Sequence, residues 1–129
     1  MEGLRHALEA PPGAFDPRLP GLFAGDPPPE YLTLLEEMAA DVRPESMRTA
    51  LTVMSKADLS DALPSIAVPV LLIWGELDAR SPVAVAYEFE RAITGAALVV
   101  IPDCGHVSNL EQPGQVNAAI REFCLAHSP

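Results

Sequence analysis

The chain predicts an α/β fold class, with a helical first half followed by a parallel β-α-β-α unit. Three observations carry that expectation. Two short runs rich in branched apolar residues, "VPVLLIWG" and "ALVVIP", read as strands covered on both faces rather than as strands that alternate between core and solvent. A segment with helical apolar spacing separates them and another follows, so the order is strand, helix, strand, helix. That order calls for a parallel sheet with a right-handed crossover. The first half holds no comparable apolar run and carries most of the 14 prolines.

Along the chain, residues 10–29, "APPGAFDPRLPGLFAGDPPP", are punctuated too heavily for regular structure. Phe15, Leu19, Leu22 and Phe23 are the side chains that would anchor this stretch to a surface. Two readings stand: a loop over a site, which is the plainer one, or a docking segment with "DPPPE" as a short extended motif. Two helices follow. In "PEYLTLLEEMAADV" the positions Tyr31, Leu34, Leu35, Met38 and Val42 keep helical spacing, as do Met47, Ala50, Leu51 and Met54 in the next segment. Both stripes are expected to pack into a core. After the first strand, Ser81 as cap and Pro82 in the first turn open a helix. It carries Val85, Ala86, Phe89, Ala92 and Ile93 inward, and Gly95 ends it. The last helix presents Val116, Ala119, Ile120, Phe123 and Cys124 as its apolar face.

Composition narrows the function classes. The 129 residues suit a single domain, and 49% hydrophobic with 20% charged residues is ordinary for a globular protein. Acidic residues outnumber basic ones by 18 to 8, a net charge of -10, which argues against nucleic acid or an anionic membrane as the partner. Cys104 and Cys124 are too few for a disulfide scaffold. "MEGLRHALEAPPG" lacks the layout of a secretory signal, and the longest apolar run, "VPVLLIW", is too short to span a bilayer. A soluble, cytoplasmic protein is the expectation.

Each strand run is followed within a few residues by one group capable of chemistry: Asp78 after "LLIWGEL" and His106 after "LVVIPDCG". Neighbouring parallel strands lie about 4.8 Å apart. Both residues would then emerge at the carboxyl edge of the sheet, where open α/β folds place ligands. A carboxylate beside an imidazole holds one ring N–H and fixes the tautomer, leaving the other nitrogen free to take a proton from a nucleophile. By pattern alone a plainer reading stays open, because an Asp after a strand is commonly a turn or cap residue and a loop His is commonly just solvated.

"VPVLLIWGELDARSP" followed by "ALVVIPDCGHVSNLEQP" resembles the C-terminal part of the α/β-hydrolase superfamily, and within it small serine esterases and enol-lactonase-like hydrolases with a helical cap. The resemblance is strong over about residues 60–126. It continues upstream, where "DVRPESMRTAL" and "ADLSDALPSIAVP" resemble the end of the cap and its return to the sheet. It implies an incomplete α/β-hydrolase fold: residues 1–57 as a helical cap segment and return helix, and residues 58–129 as the C-terminal β-α-β-α part of the core. It also implies that Asp78 is the acid and His106 the base of a catalytic triad. Glu111 and Pro113 match a recurrent feature at the start of the last helix, which implies a structural role.

Family chain order is nucleophile, acid, base, with the nucleophile in a G-x-S-x-G elbow. The sequence has no such elbow, since Ser46, Ser55, Ser60, Ser65, Ser81, Ser108 and Ser128 all lack the flanking glycines. Cys104 has glycine on one side only and adjoins the base, and no Asp sits in an elbow either. The expectation is therefore the C-terminal portion of a serine-type hydrolase of carboxylic esters or lactones. It would supply acid and base to a nucleophile outside this sequence, through a truncated or misannotated gene or partial sequence data. Alone it would be inactive and would self-associate. The alternatives are one subunit of a split hydrolase, or a non-catalytic interaction module derived from a hydrolase half. A small-molecule ester or lactone is the implied substrate. No cofactor is implied, because acyl transfer by a triad needs none. A zinc site from Cys104, His106, Cys124 and His127 is disfavoured, because the spacing matches no common zinc pattern and Cys124 continues the apolar stripe.

Overall fold

The computed structural model describes residues 21–128. Phe15 and Leu19, and with them the first part of the proline-rich stretch, lie outside the described residues. What is described divides into two compact units, one of Pro27–Asp58 and one of residues 21–26 together with 59–128.

The first unit holds helices α1 (Pro29–Ala40) and α2 (Pro44–Lys56). Each opens on proline, whose fixed φ suits a first turn where its missing N–H is not needed. The carbonyl of Pro28 accepts the N–H groups of Tyr31 and Leu32. "DPPPE" is thus in part a helix entry rather than a wholly extended motif. The apolar stripes depart from expectation. Leu34, Met38 and Met54 are 44%, 59% and 66% exposed, and Val42 lies beyond the end of α1. Tyr31, Leu35, Met47 and Leu51 are half-buried. A stripe is buried only where a second surface covers it, and among the described residues none covers these outward positions.

Besides residues 21–26, the second unit holds a 3-10 helix, Ser60–Ser65, followed by β1 (Leu71–Gly75), α3 (Val83–Ala92), β2 (Ala97–Ile101), a one-turn α4 (Ser108–Glu111) and α5 (Pro113–Ala126). The two strands pair in parallel from Leu71↔Ala97 to Gly75↔Ile101. Bonds from Ala97 N–H to the Val70 carbonyl (2.9 Å) and from Glu76 N–H to the Ile101 carbonyl (2.9 Å) extend the ladder at both ends. Side chains alternate across a strand. Ile73, Val99 and Ile101 therefore share one face, where they pack with Cys104 and Val116 of α5. Trp74 points the other way and meets Phe89 of α3, ring centroids 6.2 Å apart. One helix thus covers each face.

Three expectations are corrected here. The strands are half-buried rather than fully buried, with only Gly75 and Ile101 inaccessible, because each of the two strands has a neighbour on one edge only among the described residues. Ser81 does not cap α3. The cap position is Pro82, with no side-chain cap bond, and the N–H of Ser81 is committed to Asp78 instead. Cys124 is exposed and does not belong to the buried face of α5, whereas Cys104 is wholly buried. Ile120 faces outward as well, at 44% exposed. Gly95 does adopt the left-handed φ (78°) expected of a helix-ending glycine.

Candidate active site

The site lies at the carboxyl ends of β1 and β2. As β1 ends, the chain turns, with Leu77 N–H bonded to the Cys104 carbonyl (2.8 Å) and Asp78 N–H to the Gly75 carbonyl (3.3 Å). Asp78 is 7% exposed and both of its carboxylate oxygens are engaged. Oδ1 accepts the N–H groups of Arg80 and Ser81, both at 2.9 Å, and Oδ2 lies 2.9 Å from His106 Nδ1. An aspartate holding two backbone N–H groups in this way makes a local turn of its own. The indole N–H of Trp74 donates to the Ser81 carbonyl at 2.6 Å and fastens the far end of that turn to β1.

An ionised carboxylate only accepts hydrogen bonds, so in the neutral form of His106 this contact places the ring proton on Nδ1 and leaves Nε2 with its lone pair. The imidazole is 42% exposed while its partner's side chain is 5% exposed, so the ring is accessible and the carboxylate is not. Asp78 and His106, 28 residues apart in sequence, are brought together by the parallel pairing.

The loop that carries His106 leaves β2 through Pro102 and Asp103, whose φ of 52° is left-handed, a conformation that Asp tolerates better than most residues. It then passes close over the end of β1. A Cβ on Gly75 would fall on the carbonyl oxygens of Cys104 and Gly105, and a Cβ on Gly105 would meet Ala24 N and Phe23 C at 2.6 Å each. Three stretches of backbone are therefore stacked without room for side chains: the end of β1, the His106 loop and residues 22–24.

Glu111 joins two of these stretches. Its Oε2 accepts Gly105 N–H at 2.6 Å and its Oε1 accepts Ala24 N–H at 2.8 Å, with Cys104 Sγ 3.7 Å from Oε2. Val107 N–H donates to the Leu22 carbonyl at 3.1 Å. Burial, and after it the charge and hydrogen bond of Glu111, push the Cys104 thiol up to about 11. A thiol held in that state is a poor nucleophile, although it stands two residues from His106. Among the described residues no group of three or more His, Cys, Asp or Glu side chains is placed to hold a metal ion.

Two features escape sequence reasoning. Leu22 and Phe23 were legible as anchors and are buried, but nothing indicated that they lie against the His106 loop. Glu111 was legible as a structural residue, but its two-sided bond was not. Gly21 and Gly25 on either side of "LFA", and the acidic residue two positions before Pro113, are the signals that mark these places.

The chain matches the family described as "Alpha/beta hydrolase family" over residues 2–119. It is similar to a pimeloyl-[acyl-carrier protein] methyl ester esterase of Neisseria meningitidis, 31% identical over 90 residues that cover 70% of this chain and 35% of that protein. Among solved structures it is similar to a thermophilic esterase from Thermogutta terrifontis (TM-score 0.79, 30% identity, 97% of this chain and 48% of that one). It is also similar to the enol-lactonase from Burkholderia xenovorans (TM-score 0.83, 26% identity, 96% and 49%). The chain thus spans about a third of that curated relative and about half of those solved chains.

Proposed function

The chain belongs to the alpha/beta hydrolase family, and from that premise we propose that it supplies the acid and the base of a serine-type hydrolase of carboxylic esters or lactones. In this reading Asp78 is the acid and His106 the base. Residues 1–57 are cap and return helix, and residues 58–129 are the C-terminal part of the core. The observation that carries the reading is the 2.9 Å contact between Asp78 Oδ2 and His106 Nδ1 at the carboxyl ends of paired strands. The esterase and lactonase relatives support the ester class of substrate. No described helix is long and apolar enough to cross a membrane.

The chemistry follows from the tautomer. With Nδ1–H committed to Asp78, Nε2 accepts the proton of a serine hydroxyl as its oxygen attacks the acyl carbon. The imidazolium formed is stabilised by the buried carboxylate. It returns the proton to the leaving alkoxide, and a second cycle with water in place of serine frees the acid. The G-x-S-x-G elbow is absent from the 129 residues, so the serine and the oxyanion donors beside it belong to polypeptide outside this sequence. The chain by itself is inactive in this proposal.

The test begins with the DNA upstream of the Met1 codon, read in all frames for a strand pattern closed by G-x-S-x-G. The polypeptide bearing that elbow, joined or mixed with this chain, should hydrolyse a short-chain aryl ester. His106→Ala and Asp78→Asn should each lower kcat by roughly 10³- to 10⁴-fold. Hydrolysis by the 129 residues alone that is lost in His106→Ala would place the nucleophile within the chain and overturn the split. Unchanged hydrolysis in both variants of the joined protein would overturn the acid–base reading itself.

A further inference from the structure

We propose that Glu111 is a positioning residue for His106, its carboxylate locking the His106 loop onto residues 22–24 so that Nδ1 stays on Asp78. The inference deepens the reading of His106 as the base and rests on it. A hydrogen-bonded acid–base pair works only when its members are held within a few tenths of an ångström, and loop residues need a supporting shell to achieve this. His106 is supplied with such support on both sides. The preceding N–H, of Gly105, ends on Glu111 Oε2, and the following N–H, of Val107, ends on the Leu22 carbonyl. The other oxygen of Glu111 takes the N–H of Ala24, so one carboxylate spans the two backbones that hold His106 in place.

The geometry leaves this arrangement little slack. Gly105 is buried, with the backbone of Phe23 and Ala24 occupying the space where a Cβ would stand, so the loop cannot slide toward residues 22–24. The end of β1 blocks it at Gly75 on another side. Glu111 closes the single turn Ser108–Glu111, its own N–H bonded to the Val107 carbonyl at 3.1 Å, and that turn returns its side chain over the loop it follows. Hydrogen bonds to an ionised acceptor are the strong ones, and a carboxylate can serve two donors at once where an amide side chain offers one oxygen.

A residue that only stabilises the fold and one that positions His106 differ in what they do to the imidazole. The full chain, labelled with ¹⁵N-histidine, reads this directly, because the ring shifts report the share of the Nδ1–H and Nε2–H tautomers in solution or in the solid state. The His106 signals are identified by their loss in His106→Ala. In the unmodified chain His106 should be a single Nδ1–H tautomer. Glu111→Gln keeps the size and one oxygen, so it should remain folded. It should lower the Nδ1–H preference and speed exchange of the Gly105 amide, each on the order of tenfold. Glu111→Asp, which keeps the charge, should restore part of the preference.

Asp78→Asn separates the two readings. If Asp78→Asn shifts the tautomer while Glu111→Gln and Glu111→Ala leave it unchanged, whatever they do to stability, Glu111 is a structural residue and the proposal is overturned with the acid–base reading intact. If Asp78→Asn also leaves the tautomer unchanged, the acid–base reading has failed first.

Discussion

Cys104 and His106 stand two residues apart and live in different environments, one wholly buried and one open to solvent. An ordinary thiol ionises near 8.5, whereas Cys104 keeps its proton up to about 11, so at pH 8 its reactive thiolate is scarce. Iodoacetamide should therefore alkylate the exposed Cys124 about 10²-fold faster or more than Cys104 at pH 8, with the gap narrowing as pH rises toward 11. Mass spectrometry of the labelled peptides reads both rates, and equal rates at pH 8 would contradict the burial. Gly75 makes a second prediction. Because its Cβ position is filled by carbonyl oxygens rather than by movable side chains, Gly75→Ala should cost about 1–3 kcal/mol or more and shift the His106 loop. A thermal melt and the soluble yield check it. Asp78 and His106 were legible as candidates because each follows an apolar strand run, and the spacing of such runs is a local property of the chain. Glu111's bridge to Ala24 was not, because its two ends are 87 residues apart and only folding makes them neighbours.

At the scale of elements, strand and helix order was readable and burial was not. "LLIWG" and "ALVVI" form strands where their branched residues predict them, in parallel and in register. How far they are buried depends on what flanks each edge, which no strand encodes about itself. The same holds for α1 and α2, whose helical spacing is real while part of the stripe faces outward. Substituting outward positions should then be nearly free. Val53→Lys and Met54→Lys, at positions 61% and 66% exposed, should change stability by no more than about 0.5 kcal/mol. Ile101→Ala, at a position 1% exposed and packed among Cys104, Val116, Ile73 and Val99, should cost about 2–5 kcal/mol. Urea midpoints of the three variants against the parent chain make the comparison.

At the scale of the molecule, the described sheet has two strands, and each outer edge carries backbone donors and acceptors that no third described strand pairs. Open edges on the sheet favour association between chains, and so, in their own unit, do the exposed Leu34, Met38, Val53 and Met54. The 129-residue chain should accordingly sediment as species larger than a monomer and bind a dye that reports exposed apolar surface. A monodisperse monomer with a sharp melt would show that its own residues cover those edges. The sequence by itself determined the fold class, the order of the elements and the identity of Asp78 and His106 as the groups worth watching, because periodicity and turn chemistry act over a few residues. Only the tertiary structure decided that Asp78 gives one oxygen to its own turn and the other to His106, that Cys104 is sealed while Cys124 is not, and that Glu111 ties the His106 loop to residues 22–24. The Asp78–His106 and Glu111–Ala24 contacts join distant parts of the chain, set by strand pairing and by where backbone meets backbone, and no local pattern of residues specifies them.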